Sequence, residues 1–113
     1  MKKLLSLLFA LLMFANVSFS AERVKASHIL VDTKAEATRL KAEIEDGASF
    51  EYLARMYSKC PSGRNGGSLG YFGRGQMVKP FEDSAFNAKV GEVTEPVHTQ
   101  FGWHLIKVYD KVD

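Results

Sequence analysis

Three side chains of this 113-residue sequence stand out as groups that could do acid–base or nucleophilic chemistry, namely Cys60, His28 and His104. A thiol beside a histidine is the pairing that covalent catalysis uses, and either group can instead act as a polar hydrogen-bonding partner. Cys60 is the only cysteine, so no internal disulfide can form. The alternative is structural, because a lone cysteine often packs as a small hydrophobe and a histidine in a strand is often only a core residue.

Cys60 begins a segment, residues 60–77, that contains six of the nine glycines of the chain. Glycine permits positive φ angles and a close approach of two backbones where a side chain would clash. A flexible surface loop could have the same glycine content, but this segment also contains large apolar side chains. We therefore predict that it forms one wall of a pocket for a small apolar group beside the thiol. The apolar residues are Leu69, Tyr71, Phe72 and Met77.

Hydrophobic periodicity predicts four strands and three helices in the order βααβαββ. Thr33, three residues before Glu36, and Ser49 are typical helix caps, and Pro80 suits a first helical turn. Strands and helices do not alternate as in a doubly wound sheet, so we predict an α+β domain with a mainly antiparallel four-stranded sheet. The predicted strands are 23–31, 68–72, 93–99 and 102–110, and the predicted helices are 33–47, 49–58 and 79–91.

Strand alternation places each candidate histidine on one face with apolar neighbours. We expect both strands to be central in the sheet, which weakens the purely structural interpretation of the two histidines. His28 shares its face with Val24, Ala26 and Leu30, and His104 shares its face with Ile106 and Val108.

Residues 1–20 have the pattern of a secretory signal, with two lysines, an apolar run and the small residues Ser18 and Ser20 on either side of Phe19. The apolar run is shorter than the roughly 20 residues that span a bilayer, so we expect cleavage after Ser20 and no membrane association afterwards. Residues 21–113 are then a single domain with 13 basic and 13 acidic side chains. This balance argues against a nucleic-acid partner. We expect an exported protein, either periplasmic or extracellular.

Four motifs, "ASHILV", "CPSGRNGGSLGYFGRGQM", "KPF" and "HTQFGWHLIKV", resemble those of the parvulin-type peptidyl-prolyl cis/trans isomerases. The resemblance runs from about Val24 to Val108, with the motifs in the order and spacing of the family. It suggests a small, single-domain bacterial-type parvulin preceded by a secretory signal. It also implies a parvulin (FKBP-like) fold, in which a curved four-stranded antiparallel sheet is surrounded by helices.

The resemblance also implies a role for each matching residue. His28 and His104 correspond to a pair of histidines, and Cys60 corresponds to the residue that faces the X-Pro amide. Thr99 corresponds to a hydroxyl residue near the histidines. Three further residues correspond to the walls that hold the prolyl ring, and no metal or cofactor is expected. These residues are Leu69, Met77 and Phe81.

The implied function is isomerisation of X-Pro bonds in proline-containing client polypeptides by a monomer. Parvulins often have an acidic residue at the position of Cys60, which favours a non-covalent role for the thiol over attack on the carbonyl carbon. The arginine-rich loop of phosphate-selective parvulins is replaced here by the connection 32–34, so we expect unphosphorylated clients. The alternatives are an exported peptide-binding or chaperone module with weak or no activity, and a cysteine hydrolase.

Overall fold

A computed structural model describes residues 22–113 of the chain, and the predicted signal, residues 1–20, lies outside this range. Within the described range, no helix is both long enough and apolar enough to cross a membrane. The four strands are β1 (Arg23–Val31), β2 (Ser68–Gly73), β3 (Val97–Thr99) and β4 (Gly102–Val112). The helices are α1 (Lys34–Glu45), α2 (Phe50–Tyr57) and α3 (Lys79–Asn87), and a short 3-10 helix covers Pro61–Asn65.

The strands form one antiparallel sheet in the order β2-β1-β4-β3, which confirms the predicted α+β class and the order βααβαββ. The two strands that contain the candidate histidines, β1 and β4, are the central pair. Side chains from β1 and β4 are buried on both sheet faces, because α1 and α2 cover one face and α3 covers the other. The face under α3 includes Val24, Ala26, Ile106 and Val108, as strand alternation predicts.

Local capping residues begin the first two helices where the sequence predicts. Thr33 Oγ1 accepts a hydrogen bond from the backbone N–H of Glu36 (3.1 Å), and Ser49 Oγ accepts one from the N–H of Tyr52 (3.1 Å). Each bond satisfies one of the N–H groups that the first helical turn leaves without a partner. The position of both helices therefore follows from bonds that span three residues.

The structure corrects two predicted boundaries. Helix α3 ends at Asn87 rather than near Gly91, because Ala88 is extended and the chain then turns to bond to β4 through the Gly91 N–H and the Val108 carbonyl (2.8 Å). The predicted strand 93–99 is reduced to Val97–Thr99 and one isolated bridge between Val93 and Lys107. Pro96 interrupts this run, and proline has no N–H to donate to a strand ladder.

Candidate active site

The two central strands bring the candidate histidines into contact. In the antiparallel register, His28 lies opposite Ile106 and His104 lies opposite Leu30, so the two imidazoles are diagonal neighbours on one face. Their Nδ1 atoms are 3.0 Å apart, and the rings are nearly parallel with centroids 5.2 Å apart. Both residues are buried.

Thr99, at the end of β3, extends the histidine pair to a chain of three hydrogen-bonded side chains. Its Oγ1 accepts a hydrogen bond from the backbone N–H of Phe101 (3.1 Å) and lies 2.7 Å from His104 Nε2. In one arrangement the hydroxyl donates to His104 Nε2, and His104 Nδ1 then donates to His28 Nδ1. In the other, His28 Nδ1 donates to His104 Nδ1, and His104 Nε2 donates to the hydroxyl oxygen, which has a second lone pair. Both arrangements leave His28 Nε2 outside the chain of hydrogen bonds.

His28 Nε2 is the buried polar side-chain atom that has no hydrogen-bond partner among the described residues. An unpartnered buried polar atom is costly, and such groups are concentrated at functional sites. His28 Nε2 therefore remains available to a ligand at the site.

Burial lowers the pKa of both histidines. Loss of solvation and, to a smaller extent, the neighbouring His104 together lower the pKa of His28 to about 4. Loss of solvation also lowers the pKa of His104 to about 4. Both imidazoles are therefore neutral at pH 7, which allows one Nδ1 to accept a hydrogen bond from the other.

These pKa values predict that the folded protein loses stability as the pH falls from about 6.5 toward 4. The usual histidine value of 6.5 applies in the unfolded chain, so in this range the unfolded state binds more protons than the native state. Each histidine that titrates changes the free energy of unfolding by about 1.4 kcal/mol per pH unit. Above about pH 6.5 both states bind equally few protons, so this loss of stability is absent. Urea unfolding at a series of pH values measures the slope. We expect His104→Asn to reduce it, and a free energy of unfolding that is constant between pH 7.5 and 5 would contradict the assignment.

Cys60 is the N-cap residue of the 3-10 helix and is partly exposed. Its Sγ accepts a hydrogen bond from Ser62 Oγ (3.2 Å), and its backbone N–H donates to Ser58 Oγ (3.3 Å). Ser58 Oγ also accepts from the N–H of Leu30, which attaches the segment to β1. Among the described residues, no hydrogen bond joins the thiol to a histidine. The thiol therefore lacks the direct bond to a base that activates a cysteine nucleophile.

Gly67 lets the segment that follows Cys60 lie directly on β1. Its carbonyl oxygen accepts a hydrogen bond from the backbone N–H of His28 (2.9 Å). The φ angle of Gly67 is 87°, and a Cβ atom at this position would be 2.3 Å from the carbonyl oxygen of His28. Only glycine combines this conformation with this approach.

Leu69 enters the site through an irregularity in β2. Ala26 pairs with Gly70, but the next residue, Ser27, pairs with Ser68, so Leu69 is an extra residue in the ladder. A bulge of this kind re-aims a side chain. Leu69 packs against the core under α3 and lines the cavity described next.

An open cavity of about 490 Å³ lies over the two histidines. Of the predicted site residues, His28, Cys60 and His104 line it, together with the predicted walls Leu69, Met77 and Phe81. The Phe81 ring stands edge-on to both imidazoles, with centroids 5.4 and 5.1 Å away. Thr99 is not part of the lining and contacts the site through His104.

Six further residues line the cavity and were not predicted as site residues. Alternation along β1 could have identified Leu30, which shares a face with His28. Phe101 lies in the turn between β3 and β4 and is 60% exposed. A phenylalanine just before the strand of a candidate histidine could have been named as a site residue from the sequence. The others come from connections whose path the sequence does not reveal. The six are Leu30, Lys59, Pro61, Gln76, Val78 and Phe101.

Comparisons of the sequence and of the structure with known proteins point to the same protein family. Residues 9–112 match the PPIC-type PPIase domain. The foldase protein PrsA of Geobacillus kaustophilus is 51% identical over 90 residues, which cover 79% of this chain and 32% of that protein. The crystal structure of the peptidylprolyl isomerase PrsA from Bacillus anthracis has a TM-score of 0.80 and 43% identity, over 81% of this chain and 43% of that chain.

A shorter protein provides a full-length structural match. The solution structure of NmPin, the parvulin of Nitrosopumilus maritimus, has a TM-score of 0.74 and 43% identity, over 81% of this chain and 100% of that chain. By contrast, this chain spans only about a third of the length of the curated foldases that it matches. The fold predicted from the motifs is confirmed by these structures. Because the domain match covers most of the sequence and a complete parvulin shares its fold, the chain belongs to the parvulin family of PPIC-type peptidyl-prolyl isomerase domains.

Proposed function

We propose that this protein accelerates cis/trans isomerisation of X-Pro bonds in unphosphorylated, exported polypeptides by a non-covalent mechanism that needs no metal or cofactor. The observation that carries the proposal is the apolar cavity formed by Leu69, Met77 and Phe81 beside two neutral histidines and a thiol. This cavity has room for a prolyl ring and polar groups within reach of the adjoining amide.

The reaction requires rotation about a bond with partial double-bond character, and the barrier is about 18–20 kcal/mol. No bond to hydrogen forms or breaks during this rotation, so the site has no need of a general acid or base. The twisted amide has lost its resonance and is less polar than the planar form. A surface that grips the prolyl ring and surrounds the amide with apolar groups therefore favours the twisted form over the planar one.

The proposed roles of the polar residues follow from their contacts. The neutral His28–His104 pair forms the floor of the cavity, and the hydrogen bond between Thr99 and His104 attaches this pair to β3. Cys60, oriented by Ser62, presents a polar, polarisable atom at the rim, where the carbonyl group of the X residue would pass. A thiol without a directly bonded base supports this role over nucleophilic attack.

The charge around the cavity supports unphosphorylated clients. Lys59 is the lysine at the rim, and its Nζ lies 3.2 Å from Asp32 Oδ2. No arginine lines the cavity among the residues that the structure describes. A single lysine already paired with a carboxylate is a poor clamp for a phosphate group, since bidentate arginines are the usual solution.

Two observations support an exported client-folding role. The relatives named PrsA are foldases, and residues 1–20 of this chain have the composition of a secretory signal. We propose that proline-containing polypeptides outside the cytoplasm, in a periplasm or beyond it, are the clients of a monomeric protein that binds neither nucleic acid nor membrane after signal cleavage.

A protease-free NMR exchange experiment on a short X-Pro peptide tests the proposal. We expect residues 21–113 at micromolar concentration to accelerate exchange, and Met77→Ala to reduce kcat/KM about tenfold because about 1.4 kcal/mol of apolar contact with the ring is lost. Met56→Ala is the matched control, because Met56 lies on α2 and is 55% exposed. We expect it to retain activity within about twofold of wild type.

Two outcomes would contradict the proposal in different ways. Peptide binding without exchange would favour a peptide-binding module, which is the alternative function. Full activity in a folded Met77→Ala protein would remove Met77 from the proline-binding wall while leaving the isomerase activity in place.

A further inference from the structure

Glu82 is the one carboxylate among the buried residues of the described chain, with 7% of its surface exposed. It lies in the first turn of α3, directly after the cavity residue Phe81. Burying a carboxylate is unfavourable unless hydrogen bonds and opposite charge compensate for lost hydration. The partners of this side chain therefore indicate what it is for.

Both carboxylate oxygens of Glu82 bind the connection between β2 and α3. Oε1 accepts a hydrogen bond from the backbone N–H of Gly75 (2.7 Å), and Oε2 accepts one from Arg74 Nη1 (3.4 Å). Arg74 is itself held by Glu22 (3.0 Å) and by the Phe86 ring, 4.3 Å from its guanidinium carbon. The bond to a backbone N–H fixes the position of the chain and not only that of a side chain.

This connection carries three residues of the cavity wall, namely Gln76, Met77 and Val78. It contains no helix or strand, so few backbone bonds hold it. Gly75 has a φ of 89°, and nothing lies within 4 Å of the Cβ that another residue would add. The backbone conformation of the turn, and not a lack of space, therefore favours glycine there. The Glu82 carboxylate and the Gln76 side chain, which accepts from the Gly73 N–H (2.6 Å), are the polar groups that close this turn.

We propose that Glu82 is a positioning residue for the proline-binding cavity: its buried carboxylate fixes the connection 74–78 and thereby the distance between the Met77 wall and the Phe81 wall. One helical turn of α3 supplies both elements, since Phe81 faces the cavity and Glu82 holds the connection. A displaced Met77 leaves the prolyl ring loosely held. The inference rests on the proposed function of this cavity.

The test compares three variants in the NMR exchange experiment. We expect Glu82→Ala to lower kcat/KM about tenfold or more, because a small misplacement of a binding wall strongly lowers the reaction rate. We expect this loss to come mainly from weaker peptide affinity. Glu82→Gln keeps a carbonyl oxygen for the Gly75 N–H, so we expect a loss of no more than about threefold. Asp83→Ala is the matched control: Asp83 is the next residue, and its carboxylate pairs with Lys79 of the same helix (2.8 Å). We expect wild-type activity from it.

A spectroscopic measurement separates positioning from general destabilisation. The Gly75 amide proton, bonded to a carboxylate, should shift and lose protection from hydrogen exchange in Glu82→Ala, while the core amides of β1 and β4 keep theirs. Rates are taken at a temperature where melting curves show every variant folded. Near-normal activity of Glu82→Ala, an unchanged Gly75 signal, or an equal loss in Glu82→Gln would each overturn the role of Glu82. An inactive wild-type protein would instead refute the proposed function itself.

Discussion

Gly67→Ala is expected to destabilise the protein by roughly 2–5 kcal/mol and to remove most of the isomerase activity of the molecules that remain folded. An L-residue at a φ of 87° costs about 1–2 kcal/mol. The new Cβ would also lie 2.3 Å from the His28 carbonyl oxygen, and relieving such an overlap costs about 1–3 kcal/mol more. Since Gly67 also accepts the His28 N–H bond, the displaced backbone is the one that holds a cavity histidine.

Gly91→Ala is the matched control for this prediction. Gly91 has nearly the same φ, 93°, but nothing lies within 4 Å of the Cβ that would be added. It therefore isolates the conformational cost of about 1–2 kcal/mol from the clash, and it lies away from the cavity. Urea unfolding gives the two free energies, and the NMR exchange rate per folded molecule gives the activity. Equal destabilisation by the two substitutions would show that the close approach at Gly67 is unimportant.

Cys60→Asp is expected to retain more activity than Cys60→Ala, and the alanine variant should lose up to about tenfold, the upper value of a net hydrogen bond between uncharged groups. The physical reason is that the proposed mechanism needs a polar group beside the X-Pro carbonyl and not a nucleophile. A carboxylate at position 60 can also accept the hydrogen bond that Ser62 Oγ donates to the thiol. The exchange experiment measures both variants.

The covalent mechanism predicts a different result at the same position. An obligate nucleophile would leave both variants close to inactive, because neither alanine nor aspartate can replace attack by a thiolate. A folded but inactive Cys60→Asp protein, with an unchanged melting curve, would therefore overturn the non-covalent mechanism. Alkylation supplies an independent comparison: the partly exposed thiol should react and inhibit the wild type, while the aspartate variant should be insensitive.

Local chemistry in the sequence was sufficient to predict the number and order of the strands and α-helices, but not the 3-10 helix at Pro61–Asn65. Caps such as Thr33 and Ser49 act through hydrogen bonds to residues three positions away, so neighbouring residues alone determine them. Strand alternation likewise predicted that the two histidines lie among apolar residues. The glycine content of residues 60–77 indicated a close backbone approach, and the structure shows the approach at Gly67.

Tertiary contacts decided the features that depend on residues far apart in the chain. Bonds to β4 end α3 at Asn87, although the pattern favours a longer helix. An irregular register between β1 and β2 directs Leu69 into the cavity, and the register of β1 with β4 brings the His28 and His104 rings together. The hydrogen bond that the Gly75 N–H donates to the buried Glu82 carboxylate is equally absent from any local pattern. The physical reason is common to all of them: a periodic pattern specifies which face of an element is apolar, whereas strand register and loop path are selected only when distant segments satisfy one another's hydrogen bonds and fill the same core.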